Sequence, residues 1–311
     1  MNVLALFRSH PKSWVLLCLL LISIGAPLLA PYDPVAQADL RTSRLLMPLG
    51  HGLARGGSPE AQPDVGSPAN NISDPSDSRH AIFLLGTDNL GRDVLSRLLY
   101  ALRVSLLIGM GSMLLSLFAG VLIGIAAGMS RSGVLDQLLM RMVDLFLSVP
   151  TLFLVIAVVA FFGNSTSLLV LVLAGTGWMT VARLVRGEVI LLREMEFVLA
   201  ARMLGRSDWR IILDHILPNI LPTLVVSSVL QLGNVILAEA SLSFLGLGVQ
   251  PPTPSLGNMI GESLAYFDRG WWVGIFPGIV LTLIVFSANT LAENMQEQLE
   301  TGRSAQGASA I

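Results

Sequence analysis

Long stretches without a charged residue constrain this chain most strongly. They occupy residues 13–32, 104–130, 145–182, 215–238 and 270–292. A helix needs about 20 apolar residues to cross roughly 30 Å of hydrocarbon. Four stretches therefore suit one span each, and 145–182 is long enough for two. The Gly-Asn-Ser-Thr-Ser sequence at residues 163–167 is a turn signal that divides it. The sequence predicts an all-α integral membrane protein with six transmembrane helices in a lipid bilayer.

Composition agrees with a chain whose surface faces lipid. Hydrophobic residues make up 53% and charged residues 13% of the sequence, whereas a typical soluble domain has about 25% charged residues. Uncharged residues also run from 240 to 261, but Pro251, Pro252 and Pro254 lie within that stretch. Prolines lack backbone donors, and lipid cannot satisfy the carbonyls that they leave unpaired. We therefore expect a loop there rather than a seventh span.

Several classes of site are not indicated. The net charge of −2 gives no support to a nucleic-acid partner. The single cysteine and the four widely separated histidines predict no metal site. The chain has no Gly-x-x-x-x-Gly-Lys-Ser/Thr motif and no evident catalytic cluster. We therefore expect neither an enzyme nor a cofactor bound by this chain.

Arginine placement predicts the orientation of the spans, because short cytoplasmic loops are rich in Arg and Lys. The segment between spans 4 and 5 carries Arg186, Arg193, Arg202, Arg206 and Arg210. It should be cytoplasmic, and with six spans both termini are then cytoplasmic as well. The first span has two interpretations, a cleaved signal peptide or a retained anchor. The poor small-residue cleavage site at residues 27–30 favours the anchor.

This topology divides the chain into four regions. Residues 1–32 form the cytoplasmic N-terminus and the first span, and residues 33–100 form an outer loop. The insert at 48–80 is rich in Gly, Pro and Ser. Such a segment buries too little apolar surface to offset its ordering entropy, so we expect it to be flexible. Residues 101–294 form the transmembrane core, and 295–311 a cytoplasmic tail.

The loop between spans 4 and 5 has the pattern of two short helices joined at a glycine. Residues at i, i+3, i+4 and i+7 predict one helical face, namely Phe197, Ala200, Ala201 and Leu204. Gly205 can end this helix in a left-handed conformation, and Ser207 can cap the next helix. Pro218 marks the start of span 5. The exposed small side chains of Ala200 and Ala201 would let a partner's backbone approach closely.

This loop carries a family resemblance. The residues concerned are Glu196, Ala200, Ala201, Gly205, Leu217 and Pro218. Their pattern resembles the cytoplasmic coupling loop of permeases of ATP-binding cassette (ABC) importers, which docks into a groove on the ATPase subunit. The alternative is an amphipathic helix lying in the membrane interface.

Three further segments resemble the dipeptide, oligopeptide and nickel branch of that family, at residues 85–106, 239–254 and 271–278. The resemblance covers roughly residues 80–295. It departs at residues 292–295, Ala-Glu-Asn-Met, where the family has a Gly-Asp and Arg-Asp signature.

This resemblance implies a multi-pass permease subunit in a bacterial inner membrane, importing peptides or nickel. The implied partners are a second homologous permease, two ATPase subunits that bind the ATP, and an extracytoplasmic substrate-binding protein. The alternative is a stand-alone secondary transporter. That class predicts intramembrane charges for ion coupling, and the central portions of these spans have none.

Two sets of small and polar residues lie within the spans. Gly120, Gly124 and Gly128 recur at four-residue spacing, which suits either a subunit or gating interface or ordinary helix packing within the chain. In span 5, Ser228, Gln231 and, loosely, Asn234 share a helical face. They suit either the lining of the translocation path or hydrogen bonds between helices.

Overall fold

The computed structural model of the protein describes residues 13–37, 44–55, 78–130 and 133–308. Its regular elements, in chain order, are α1 (Ser13–Leu29), β1 (Gly50–Arg55), β2 (Ser78–Phe83), α2 (Val94–Met129), α3 (Gly133–Leu147), α4 (Thr151–Phe162), α5 (Thr166–Arg193), α6 (Glu196–Met203), α7 (Asp208–Ile211), a π-helical turn (Ile212–Ile216), α8 (Leu217–Phe244), α9 (Leu256–Ser263), a 3₁₀ turn (Leu264–Tyr266), α10 (Phe267–Gly270) and α11 (Trp272–Ala308). The predicted all-α architecture is confirmed, with one strand pair added.

The helices compatible with membrane crossing follow the charge-free stretches. Among the described residues, four continuous helical segments are long and apolar enough: α2, α5, the run from α7 through α8, and the first 28 residues of α11. The pair α3 and α4 forms a fifth if it is counted as one broken span, and α1 is a shorter apolar helix at the position of predicted span 1. This set is compatible with six spans without fixing that number.

Predicted span 3, within residues 145–162, is not one straight helix: it contains α4 and only the last three residues of α3, and the rest of α3 precedes it. The axes of α3 and α4 differ by 80° across the break between them. Pro150 immediately precedes α4, with φ −59° and ψ 126°. Proline has no N–H to donate and disfavours helical geometry in the residue before it, so the helix ends at Leu147 and begins again at Thr151.

Other predicted boundaries fall close to the observed ones. Gly163, at φ 80°, follows α4, and the side chain of Ser165 caps α5 by accepting the N–H of Leu168 at 3.2 Å. The proline-rich segment is a loop between α8 and α9, as predicted. However, α2 begins at Val94, before the predicted start of the core at 101, and α11 continues through residues 295–308, where a tail is predicted.

The two ends of the insert pair with each other. Strands β1 and β2 are antiparallel, and the register runs from Gly50 opposite Phe83 to Arg55 opposite Ser78. The insert at 48–80 is therefore closed by a hairpin that its composition did not predict. Residues 56–77 lie outside the described residues.

The chain divides into two compact units. Of the described residues, those within 13–18, 106–241 and 282–308 form unit 1, and those within 19–105 and 242–281 form unit 2. In unit 1, a Cβ atom on Gly120, Gly124 or Gly128 would lie 2.5, 2.6 or 2.7 Å from the Cβ of a valine on α5. The three valines are Val181, Val185 and Val189. The glycine stripe is thus a packing seam within this chain.

Unit 2 is held by a buried charge network at the start of α2. The Asp88 carboxylate is fully buried and accepts hydrogen bonds from Arg92 Nε at 2.6 Å and from Arg97 Nη1. Both arginines also reach Glu262 Oε2, at 3.2 and 2.9 Å respectively. Tyr266 lies close enough to this network to feel its charges, and its burial raises the pKa of the phenol to about 12. The network joins the start of α2 to α9, and each of its two arginines is paired with both carboxylates.

Candidate functional site

In the loop between α5 and α8, the first short helix, α6, ends at the predicted glycine. Gly205 has φ 75°. Its N–H donates to the carbonyl oxygen of Arg202 at 3.0 Å, and the N–H of Arg206 donates to that of Ala201 at 3.2 Å. This pair of bonds is a Schellman motif, which satisfies the last carbonyls of α6 and turns the chain. The predicted helix–glycine–helix arrangement is confirmed.

The second short helix differs in detail from the prediction. Ser207 precedes α7 in an extended conformation, but in the described structure its side chain makes no capping hydrogen bond. Ion pairs between Arg202 and Asp208 at 3.6 Å and between Arg206 and Asp214 at 2.5 Å span the turn. The π-helical turn then leads into α8, which begins at Leu217, one residue before Pro218.

The inward face of α6 is not the predicted one. Val198 and Ala201 are buried in an apolar cluster with Val189 of α5 and with Ile211 and Ile216. Ala201 is only 8% exposed, so the expectation that it presents an open surface is wrong. The physical reason is that α6 packs on the end of α5, and this contact fixes which side of the short helix points inward.

An apolar surface remains on the outward side of the loop, and we call it the α6–α7 patch. It consists of Phe197, Ala200, Met203, Leu204 and Trp209, all exposed in this chain. Met203 is 89% exposed, Leu204 84% and Trp209 66%. Large exposed apolar side chains mark protein–protein or membrane contact sites. Sequence reasoning missed Met203 and Trp209, although large apolar side chains among five arginines were a signal that could have identified them.

The other predicted loop residues flank this patch. Glu196 is exposed in the first turn of α6, where a carboxylate interacts favourably with the positive end of the helix dipole. Leu217 is half-buried against the apolar cluster, and Pro218 is exposed.

A second feature of unit 1 is a cavity of about 480 Å³ bounded by α4, α5 and α8. Its polar lining residues are Thr151, Thr176, Thr180, Ser227, Gln231 and Asn234. Two of the three residues predicted for the path, Gln231 and Asn234, therefore line it. Ser228 does not line it, and its hydroxyl donates to the carbonyl oxygen of Val225 at 2.7 Å. Ser227 lines the cavity instead of Ser228, because positions 227, 231 and 234 lie closer to one face of a helix with 3.6 residues per turn than positions 228, 231 and 234 do.

Comparison with known proteins identifies the family of this chain. The family described as "Binding-protein-dependent transport system inner membrane component" matches residues 120–304. The chain belongs to this family. The matched region holds both the α6–α7 patch and the cavity, and the permease is therefore a multi-pass inner-membrane protein. As the membrane subunit of an ABC importer, it is not a stand-alone secondary transporter.

Individual relatives resemble the permease over most of its length. It is 36% identical over 289 residues to the Di/tripeptide transport system permease protein DppC of Pseudomonas aeruginosa, covering 92% of this chain and 85% of that protein. It is also 36% identical over 287 residues to the Oligopeptide transport system permease protein OppC of Mycobacterium bovis, covering 92% and 88%.

A solved structure shares the fold. It is titled "Crystal structure of an amino acid ABC transporter with histidines" and is 14% identical, with a TM-score of 0.51. The match covers 66% of this chain and 94% of that one. At this identity the likeness concerns the fold alone.

Proposed function

We propose that this permease imports di- or oligopeptides and forms half of the translocation path. The observation that carries this proposal is that relatives named as di/tripeptide and oligopeptide permeases align with 92% of the chain. In the described structure the side chains that line the cavity are all uncharged. Divalent cations prefer carboxylate, imidazole or several convergent oxygen ligands, so this lining favours peptides over nickel.

The α6–α7 patch is proposed as the surface that couples the permease to an ATPase subunit. Its apolar side chains stand exposed next to Glu196 and Gly205, the residues that carry the family resemblance. Movement of a docked ATPase would reach α8 through the rigid turn at Gly205 and the π-helical turn. We propose that hydrolysis occurs on two separate ATPase subunits. A second permease and an extracytoplasmic binding protein complete the importer, and both termini of this chain are cytoplasmic.

Reconstitution tests this function directly. The permease would be co-expressed with a second permease, the ATPase subunits and the binding protein, and placed in proteoliposomes. We expect uptake of a radiolabelled dipeptide that requires ATP and the binding protein. ATP-dependent uptake of Ni²⁺ without uptake of any di- or oligopeptide would contradict the peptide assignment. Peptide uptake by the permease without any ATPase subunit would contradict the coupling proposal.

A further inference from the structure

An ion pair holds α3, the helix before the break at residues 148–150, on α5. Asp136 lies in the first turn of α3 and accepts two hydrogen bonds from the guanidinium of Arg186, one from Nε and one from Nη2 at 2.6 Å. A bidentate pair of this kind fixes the orientation of the two side chains as well as their distance. The side chains of Arg186 and Asp136 are 31% and 21% exposed. Salt therefore screens this pair less than the more exposed pair of Arg183 and Asp144 on the same helices.

Apolar packing continues the contact between these two helices. Val143 of α3 is fully buried in a cluster with Met179 and Ala182 of α5. Phe146, in the last turn of α3, meets Trp178 of α5 edge to face, with ring centroids 6.3 Å apart. The contact therefore extends from the first turn of α3 to its last, and the bidentate pair lies at its beginning.

The helix α5 also carries the loop with the α6–α7 patch. Ala201 of α6 is buried in the same cluster as Val189 of α5, and the glycine seam packs α5 on α2. Arg193, in the last turn of α5, donates from Nη1 to the carbonyl oxygens of Gly128 and Ser130 at 2.8 and 3.3 Å. These contacts bind α2, α3, α5 and α6 into one packed body, because each of the other three helices contacts α5.

The helix α4 lies beyond the break and bounds the cavity. The end of α3 is completed locally, since the hydroxyl of Ser148 donates to the carbonyl oxygen of Leu145 at 2.7 Å. Thr151, the first residue of α4, is exposed and lines the cavity. Hinges are a few residues at the ends of elements that absorb changes in backbone dihedral angles, and residues 148–150 occupy such a position. A movement of α3 would therefore change the angle between α4 and α5, and with it the width of the cavity.

We propose that Arg186 and Asp136 are positioning residues of the coupling step. They make α3 follow α5 when a docked ATPase displaces α6, so that the break at residues 148–150 converts this displacement into a change of cavity width. This inference rests on the proposed function, because it takes the α6–α7 patch as the docking surface. Without the pair, α5 would turn under α3, and the angle between α4 and α5 would no longer follow the ATPase.

The ratio of peptide uptake to ATP hydrolysis tests the proposal. Both rates would be measured in the same proteoliposomes with the reconstituted importer and a radiolabelled dipeptide. Asp136→Asn keeps the shape of the side chain and removes its charge. We expect this variant to import about tenfold fewer peptides per ATP hydrolysed, a loss within the usual range of coupling between sites, while pull-down of the ATPase stays native. Asp144→Asn is the matched control, because it removes the carboxylate of the exposed pair on the same helices, and its ratio should be native.

Further variants at the two positions separate coupling from other effects. Asp136→Glu keeps the charge and should retain a higher ratio than Asp136→Asn. Arg186→Gln removes the other partner of the pair. Asp136→Asn combined with Arg186→Gln should lose no more than either change alone, since residues that act through one shared contact are not additive. Losses that add in the double variant would mean that the two residues act independently, and would contradict the proposal.

The outcomes are distinct from those of the proposed function. A native importer that takes up no peptide contradicts peptide transport itself. If native uptake is normal, a native ratio in Asp136→Asn overturns the inference. Loss of ATPase binding in that variant also overturns it, because the defect would then lie in docking. A lowered melting temperature with uptake and hydrolysis reduced equally would assign the pair a purely structural role.

Discussion

Gly205 shows at the scale of one residue how backbone geometry shapes the proposed coupling loop between α5 and α8. Its φ of 75° lies in the left-handed region, and a Cβ there would meet nothing within 4 Å. Any cost of adding a side chain is therefore conformational and not steric. Left-handed geometry costs about 1–2 kcal/mol for residues other than glycine.

Gly205→Ala should consequently lower the melting temperature of the permease and weaken its association with the ATPase. Gly187→Ala is the matched control, because Gly187 also faces open space but lies within α5. There alanine should be neutral or stabilising by up to about 1 kcal/mol. Equal melting temperatures for the two variants would contradict the backbone explanation. The measurements are thermal unfolding and pull-down of the ATPase.

Arg97 carries a buried charge that depends on its two partners. It is 1% exposed and pairs with Asp88 and Glu262. Arg97→Met would leave those two carboxylates with only Arg92, and breaking a buried pair costs about 3–5 kcal/mol. We expect a marked fall in melting temperature.

Arg183→Met is the comparison for Arg97. Its ion pair with Asp144 is more than half exposed on both sides, and exposed pairs contribute about 0–1 kcal/mol. The melting temperature of the Arg183→Met permease should stay close to the native value. A similar loss in both variants would show that burial is not what makes the Asp88 network important.

At the scale of helices, the seam between α2 and α5 depends on the absence of side chains. In Gly124→Ala the new Cβ would lie 2.6 Å from Val185 Cβ and 2.7 Å from the carbonyl oxygen of Ala182. Overpacking of this kind costs about 1–3 kcal/mol. Gly175→Ala should be tolerated, because a Cβ there meets nothing within 4 Å.

A double-mutant cycle measures how much of this cost comes from the side-chain contact. Adding Val185→Ala to Gly124→Ala should recover part of the lost melting temperature, since it removes Val185 Cγ1, which would lie 2.8 Å from the new Cβ. Strictly additive losses would mean that this methyl group does not contribute to the clash, and that the contacts with Val185 Cβ and the Ala182 carbonyl oxygen account for it.

The two alanines of α6 give opposite predictions because they face opposite ways. Ala200→Trp adds a ring to the exposed α6–α7 patch, so it should reduce ATPase association while the isolated permease keeps its melting temperature. Ala201→Trp forces a ring into the cluster around Val189 and should destabilise the permease itself. Pull-down and thermal unfolding of both variants separate the effects. Normal ATPase binding and uptake in Ala200→Trp would reject this patch as the docking surface.

For the whole molecule, the arginine distribution predicts which loops face the cytoplasm. Single cysteines would be placed at exposed positions, as Ala200→Cys and Leu90→Cys, in a chain carrying Cys18→Ala. A membrane-impermeant thiol reagent added outside should label position 90 and leave position 200 unmodified until the membrane is opened. Labelling of position 200 from outside would reverse the proposed topology.

Features set by local chemistry were readable from the sequence alone. Charge-free stretches located the membrane helices, because lipid excludes charge and demands a minimum helix length. Gly163 and Gly205 marked turns, because glycine alone enters the left-handed region cheaply. The residues of the proposed coupling loop carried the family resemblance, because their spacing is a property of one short segment.

Features that depend on distant partners were decided only by the tertiary structure. Periodicity shows that a helix has two faces, but packing on α5 determined that Ala201 points inward and Ala200 outward. Likewise, the rotation of α8 about its own axis placed Ser227 in the cavity and Ser228 outside it. Val185 lies about 60 residues beyond Gly124, and Glu262 lies 165 residues beyond Arg97. Such pairings follow from the packing of whole helices, because no local rule of spacing or charge can select one distant surface among several.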